Sequence, residues 1–259
     1  MIKKVRIFRW ENGVKTLDDY VCIEERFEIY IVRDNFEEFL AELSASPSQL
    51  RELGVGFVVC EGYEKAEEII NSWVEGQRIY VKVRDTNIGN LRSEVTIRHA
   101  PCGGQYTVRE CEVLGGKAGD IKVPPELILK ISSSMTQLAE TWRKTGGTHW
   151  AALFDKEGRT VAFSEDIGRH NAVDKVVGYA VLNGLNLSEL ILASSGRMPY
   201  AMVKKAVNAG IPIVITKSPP TDKGVELARK YNVTLIGFAR GKRFNIYSGE
   251  YRIAFENRT

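Results

Sequence analysis

The chain has 259 residues, 44% hydrophobic and 27% charged, the balance of a globular protein long enough for one large or two small cores without disulfides or a structural metal. A net charge of +3 with no clustered basic patch argues against nucleic acid and suits an anionic small ligand such as a phosphate ester. The first six residues lack the apolar run of a secretory leader, and no stretch approaches the ~20 apolar residues of a membrane span, so the expectation is a cytoplasmic chain with no membrane partner.

In chain order, residues 5–10 read as a strand, and Glu11-Asn12-Gly13 as a hairpin turn, because Asn-Gly tolerates positive φ at both turn positions. Residues 27–32 form a second apolar run. Ser46-Pro47 predicts a helix start, with Leu50, Leu53 and Phe57 on one face and a stop near Gly62. Residues 69–74 and 78–84 read as strands joined at Glu75-Gly76, and 95–99 as another. Residues 100–120 hold five glycines, one proline and two cysteines with no helical or strand period, so they read as a functional loop or linker.

From Pro124-Pro125 the pattern changes. One long helix is expected to about residue 144, capped by Gly146. Strands follow at 149–154 and 160–163, then a helix at 169–182, a strand at 190–193, a helix at 199–209 and a strand at 211–216. A helix at 221–231 with its N-cap at Thr221 or Asp222, a strand at 234–238 and another at 243–247 complete the series. Such alternation marks an α/β layer with largely parallel strands. The fold class is therefore α/β: a smaller β-rich α+β N-terminal domain over 1–99, a cysteine-bearing loop or linker over 100–123, and an α/β domain over 124–259.

Open α/β sheets bind ligands beyond the carboxyl ends of their strands, where turns lead into helices. Three turns have suitable chemistry: Ser194-Ser195-Gly196-Arg197, Asp166-Ile167-Gly168-Arg169-His170-Asn171, and Phe238-Ala239-Arg240-Gly241-Lys242-Arg243. Each carries a glycine for close backbone approach and an arginine that can fork onto a phosphate. The bland alternative for any one of them is a glycine turn with solvated charges. His149 leads into a buried strand and reads equally well as a structural histidine; His170, at a helix start beside Arg169, is the better candidate to face a ligand.

Cys102 lies in Pro101-Cys102-Gly103-Gly104, an accessible context, with Arg98 and His99 nearby to favour the thiolate. Cys22 and Cys60 sit in apolar surroundings and read as packing residues, and Cys111 as a resolving thiol or a bystander. His99, Cys102 and Cys111 form at most a partial zinc set, without paired C-x2-C spacing, so no metal site is expected. The zinc base deaminases need H-x-E and a downstream P-C-x-x-C; the three histidines here open His99-Ala100-Pro101, His149-Trp150-Ala151 and His170-Asn171-Ala172, and no cysteine follows Cys111.

Several blocks together resemble the formate dehydrogenase accessory sulfurtransferase family (FdhD/NarQ type). They are Thr145-Gly-Gly-Thr-His-Trp-Ala-Ala-Leu-Phe-Asp155, Glu165-Asp-Ile-Gly-Arg-His-Asn-Ala-Val-Asp-Lys175, Ser195-Gly-Arg-Met-Pro-Tyr-Ala-Met-Val-Lys-Lys-Ala206, Ala209-Gly-Ile-Pro-Ile213 and Gly237-Phe-Ala-Arg-Gly-Lys-Arg-Phe-Asn-Ile-Tyr247. The resemblance implies a C-terminal three-layer α/β/α domain similar to the cytidine deaminase fold without its zinc. It implies a sulfur carrier, an enzyme of accessory sulfurtransferase type, in which a cysteine desulfurase loads a persulfide on Cys102. The sulfur then passes to molybdenum in bis(molybdopterin guanine dinucleotide) for the client formate dehydrogenase. The cofactor is a bound substrate, GDP or GMP are its mimics, and the family suggests a homodimer. The family's cofactor segment maps onto Phe238, Ala239, Arg240, Gly241, Lys242 and Arg243, and the reading adds Gly196, Arg197 and His170 to that site. The family loop reads Cys-Gly-x-Cys-Gly, whereas here Gln105 replaces the second cysteine. That departure leaves Cys102 as the one matched sulfur and keeps open an alternative, a non-catalytic chaperone that delivers the cofactor and moves no sulfur.

Overall fold

The computed structural model of the chain describes residues 1–34, 36–84, 96–99, 105–108, 113–115 and 118–255. The chain opens with strands β1 (Ile2–Trp10) and β2 (Val14–Cys22), a two-stranded antiparallel ribbon turned at Asn12 and Gly13, both at positive φ as their types predict. A six-stranded sheet follows in the order β5-β6-β3-β4-β8-β7. Its strands are β3 (Glu25–Arg33), β4 (Phe36–Ala45), β5 (Ile69–Glu75), β6 (Arg78–Val83), β7 (Thr96–His99) and β8 (Gln105–Val108). In β3, Phe27, Ile29 and Ile31 are buried and their neighbours point outward, the period of two that a half-buried strand requires. The outward face carries Trp73, Tyr80, Tyr30 and Phe39 in cross-strand register, each ring within 5.6 Å of the next.

Strand β4 escaped the sequence reading because Glu37, Glu38 and Glu42 interrupt its apolar residues, yet Leu40, Ala41 and Leu43 are buried. Strand β8 was hidden inside the glycine-rich stretch; a short Tyr-Thr-Val run there suffices for pairing, against the expectation of no regular structure. Helix α1 (Leu50–Glu61) starts later than Ser46-Pro47 implied. Ser46 is buried and its N–H and C=O are engaged by Asp166 and Lys175, so it caps nothing. The predicted stop holds: Gly62 closes α1 at φ 83.

The second six-stranded sheet has the order β10-β9-β11-β12-β13-β14. Its strands are β9 (His149–Phe154), β10 (Thr160–Asp166), β11 (Ile191–Ser194), β12 (Ile213–Thr216), β13 (Thr234–Arg240) and β14 (Arg243–Ser248). Only β11, β12 and β13 run parallel; β9, β10 and β14 make antiparallel pairs. The expectation of a largely parallel layer is corrected accordingly. The connections explain it: β9–β10 and β13–β14 are joined by tight turns, which can link only antiparallel neighbours.

Helices lie on both faces. Helices α4 (Arg169–Leu182), α5 (Tyr200–Asn208) and α6 (Asp222–Lys230), with the end of α1, bury Ala151, Leu153, Leu192, Val214 and Leu235. Helix α2 (Pro125–Leu138) covers Ala152, Phe154, Ala193, Ile213 and Ile236 from the other side. The single helix expected to residue 144 breaks at Ala139 (φ −80, ψ 75), and α3 (Glu140–Thr145) follows. Buried Glu165 causes the break to persist: its carboxylate accepts the N–H groups of Thr141 (2.8 Å) and Trp142 (2.7 Å), the orphan donors of a new helix start.

The two sheets meet across α1 and α4. A Cβ at Gly56 would collide with the Asp174 carbonyl, and one at Gly178 with the Glu52 carbonyl, so the helix backbones touch. Two buried ion sets bracket the contact. Lys205 Nζ bonds Asp174 at 2.8 and 3.0 Å and Glu61 at 2.5 Å, tying α5 to α4 and α1. Lys175 Nζ bonds Asp166 at 2.6 Å and the Ser46 carbonyl at 3.0 Å. Burial pushes the Asp174 carboxyl up to about 6, and the surrounding carboxylates hold Lys205 protonated despite its burial. Cys60 is buried beside this set with its thiol pushed well up by burial, an inert packing residue as its context suggested.

Candidate functional site

The carboxyl ends of β11, β12 and β13 lie on one edge of the second sheet, beside the start of β9 and the end of β10. Strand β11 delivers Ser195, whose N–H bonds the Trp150 carbonyl at 3.0 Å. Ser195 Oγ accepts the Trp150 N–H at 3.1 Å and lies 3.2 Å from His149 Nδ1. Gly196 follows because Arg169 crosses it; a Cβ there would come within 2.8 Å of the Arg169 side chain. Thr216 Oγ1 donates to the Gly196 carbonyl at 2.6 Å, Ser218 Oγ donates to the Ser195 carbonyl at 2.8 Å, and Phe238 N–H donates to the Ser218 carbonyl at 3.3 Å. The turns after all three parallel strands are thereby stitched together.

Beside them opens a cleft of about 500 Å³, lined among others by Trp142, Gly147, His149, Ile167, Ser195 and Lys217. Lys217 Nζ stands 5.8 Å from the centre of the Trp150 ring, and burial lowers its pKa. The His149 pKa is lowered by burial, then by the charges of Arg169 and Arg197. A neutral His149 can take the Ser195 hydroxyl proton at Nδ1 in a hydrogen bond and present Nε2–H outward. The His170 pKa falls to about 3, first through burial and then through Lys205, Arg169 and His149. Two buried nitrogens here, Arg169 Nε and His170 Nε2, lack a hydrogen-bond partner. Buried polar atoms are rarely left so; Arg33 Nη1, Glu68 Oε2 and Ser164 Oγ share the condition elsewhere among the described residues.

Of the residues singled out in the sequence, Gly196 is buried against Arg169, Arg197 is exposed at the same edge, and His170 is half-buried on the first turn of α4. Phe238 sits at φ 52 where β13 meets the Ser218 turn. Ala239 is buried, its carbonyl bonded by Ser132 Oγ. Arg240, Gly241, Lys242 and Arg243 form the exposed tip of the β13–β14 hairpin, with the Arg240 guanidinium 5.6 Å from the Phe238 ring centre. Neither that tip nor Gly196, Arg197 and His170 lines the His149 cleft; both groups of candidates lie on the edge beside it.

Cys102 and Cys111 lie outside the described residues. The strands that flank Cys102, β7 and β8, pair with each other, and β8 pairs with β4 through Tyr106 and Ala41. Cys22 is half-buried with its sulfur 3.0 Å from Thr145 Oγ1. No group of three or more potential metal ligands occurs among the described residues. Sequence reasoning missed Trp142, Lys217 and Ser218. Lys217 and Ser218 were findable, since they directly follow the apolar strand ending at Thr216 and obey the same carboxyl-end rule as Ser195. Trp142 was not, because its position depends on the break that Glu165 stabilises.

No helix among the described residues is long and apolar enough to cross a membrane. A family model described as the FdhD/NarQ family matches residues 22–254. Protein FdhD of Methanocaldococcus jannaschii is 43% identical over 251 residues, covering 96% of this chain and 97% of that one. Sulfur carrier protein FdhD of Sulfolobus acidocaldarius is 35% identical over 260 residues, covering 97% and 98%. A crystal structure assigned as a formate dehydrogenase accessory protein of Desulfotalea psychrophila superposes with a TM-score of 0.78 at 27% identity, covering 98% of each chain. The mixed α/β architecture is thus that of a solved relative, and the chain belongs to the FdhD/NarQ family.

Proposed function

We propose that this chain is a cytosolic sulfur carrier that receives a persulfide on Cys102 from a cysteine desulfurase. It passes that sulfur to molybdenum in bis(molybdopterin guanine dinucleotide), the substrate form destined for formate dehydrogenase. The names of the relatives, sulfur carrier and formate dehydrogenase accessory protein, support the reading. So does the layering, which we read as the cytidine deaminase arrangement without its zinc.

One observation carries the cofactor half of the proposal. At the carboxyl edge Lys217 and His149 line one cleft, the charges of Arg169 and Arg197 act on that His149, and buried nitrogens of Arg169 and His170 beside it lack partners. Cations and unsatisfied donors suit phosphate oxygens, and Trp142 beside them offers a ring face for a base. The Arg240 hairpin would clasp a second part of so large a ligand. The Cys102 thiolate attacks the outer sulfur of the donor's persulfide, the donor's S–S bond breaks, and its thiolate leaves, a redox-neutral step. Delivery of that sulfur as a sulfido ligand would break the Cys102 S–S bond, release the Cys102 thiolate and take two electrons, which oxidation of Mo(IV) to Mo(VI) would supply.

Mass spectrometry after incubation with a cysteine desulfurase and cysteine tests the carrier step. A gain of one sulfur on Cys102, absent in Cys102→Ala, is expected. The chaperone alternative predicts instead that Cys102→Ala still matures formate dehydrogenase to the wild-type level, a result that would remove sulfur carriage from the account.

A further inference from the structure

The block from Glu165 to Lys175 is only partly used by the cleft. Asp166 faces the seam instead. Its carboxylate accepts the Gly168 N–H and Asn171 Nδ2 on Oδ1, each at 2.9 Å, and the Ser46 N–H at 3.0 Å and Lys175 Nζ at 2.6 Å on Oδ2. Both ionised side chains are 0% exposed. A carboxylate offers about four acceptor sites, so Asp166 has none left for a ligand. Asn171 Nδ2 also donates to the Ser44 carbonyl at 2.8 Å, and the Ile167 N–H donates to Ser46 Oγ at 3.3 Å.

These bonds join two particular places. Ser44 and Ser46 lie at the end of β4, and β4 pairs with β8. Strand β8 pairs with β7, and Cys102 stands three residues from each of the paired ends, His99 and Gln105. On the other side, Ile167 lines the cleft, and Gly168 precedes the helix turn that carries Arg169 and His170. One carboxylate therefore grips both the end of β4, the strand that pairs with β8, and the turn that walls the cleft.

We infer that Asp166, with Asn171 and Lys175, is a positioning group for sulfur delivery: it fixes, against the cleft, the register of the sheet whose paired strands β7 and β8 flank Cys102 in sequence. The inference rests on the sulfur-carrier reading. The Lys205 set orients α1, α4 and α5 but bonds neither β4 nor the Ile167–Arg169 turn, whereas the Asp166 set bonds both. Hydrogen bonds are short and directional and tolerate little sliding. Transfer between centres needs reacting atoms at about 3–3.5 Å in line, so a small change of register is enough to stop it. These residues act through β4 and through the Ile167–Arg169 turn.

Energy transfer from mant-GDP, bound at the cleft edge, to a dye on Cys102 tests the geometry, with Cys22, Cys60 and Cys111 replaced by alanine. Asn171→Ala cuts the bond to Ser44, and Ser46→Ala cuts only the bond to Ile167, which keeps the test alive if the first variant does not fold. The expected result is a shifted or broadened distance distribution, with mant-GDP affinity within twofold of the parent. Sulfur delivery per folded molecule, measured with Cys102 unlabelled, should fall at least tenfold in Asn171→Ala and less in Ser46→Ala. A purely structural role would lower the folded fraction and leave both the distance and the delivery per folded molecule unchanged; that result overturns the inference while leaving the carrier intact. Should the parent bind no mant-GDP or accept no sulfur on Cys102, the carrier reading falls and this inference with it.

Discussion

The α1–α4 seam and the carboxyl-edge cleft draw on the same motifs, yet they treat their polar groups in opposite ways. In the seam, Asp166, Asn171, Lys175 and Lys205 all have partners in the protein. Between Asp166 and Asn171 in the chain, beside the cleft, Arg169 and His170 keep buried nitrogens with none. A buried polar atom costs about 1–3 kcal/mol when unsatisfied. On the proposed function, the half of the motif left short is the half that meets the ligand. Membership of one sequence block therefore does not give its residues one role.

The contrast breaks most sharply at the seam. Gly178→Ala drives a methyl into the Glu52 carbonyl, and a loss of about 4–5 kcal/mol, the upper end for single substitutions, is expected in urea denaturation. Lys205→Met strands Asp174 and Glu61 and should cost about 3–5 kcal/mol by the same measurement, while GDP affinity per folded molecule stays unchanged.

His170 sharpens the comparison through pH. Its folded pKa lies near 3 and its ordinary value is 6.5, so the unfolded chain takes up the proton first. Stability from this group is complete above 6.5 and is lost as pH falls toward 3, at up to about 1.4 kcal/mol per pH unit. His170→Asn should flatten that part of the slope in denaturation curves between pH 4 and 6; an unaltered slope would contradict a buried neutral imidazole. The smallest effect is expected at the break before α3. Glu165→Gln weakens the cap on Thr141 and Trp142, and a loss of about 1 kcal/mol is expected, with reduced order at Trp142 visible in its fluorescence.

The parts of the fold set by local chemistry were legible in the sequence. The Asn12-Gly13 turn, the Gly62 and Gly146 stops and the Thr221 cap, whose hydroxyl accepts the Gly224 N–H at 3.3 Å, all follow from residue type. What was not legible depends on partners distant in sequence. Ser46 looks like a helix cap until Asp166 and Lys175 claim its backbone, 120 and 129 residues away. A helix through Ala139 looks continuous until Glu165 supplies a new start. The candidate site divides likewise: the turns at Gly196, Arg197 and His170 could be singled out because strand ends point to them, whereas Trp142 needed tertiary structure.

Titration of GDP while following tryptophan fluorescence tests the central claim most directly, since Trp142 lines the cleft and Trp150 adjoins it. The account predicts a saturable change in the wild-type chain and an affinity reduced about tenfold in Lys217→Ala, the value of one charge-assisted contact. No saturable change, or equal affinity in Lys217→Ala, would contradict it.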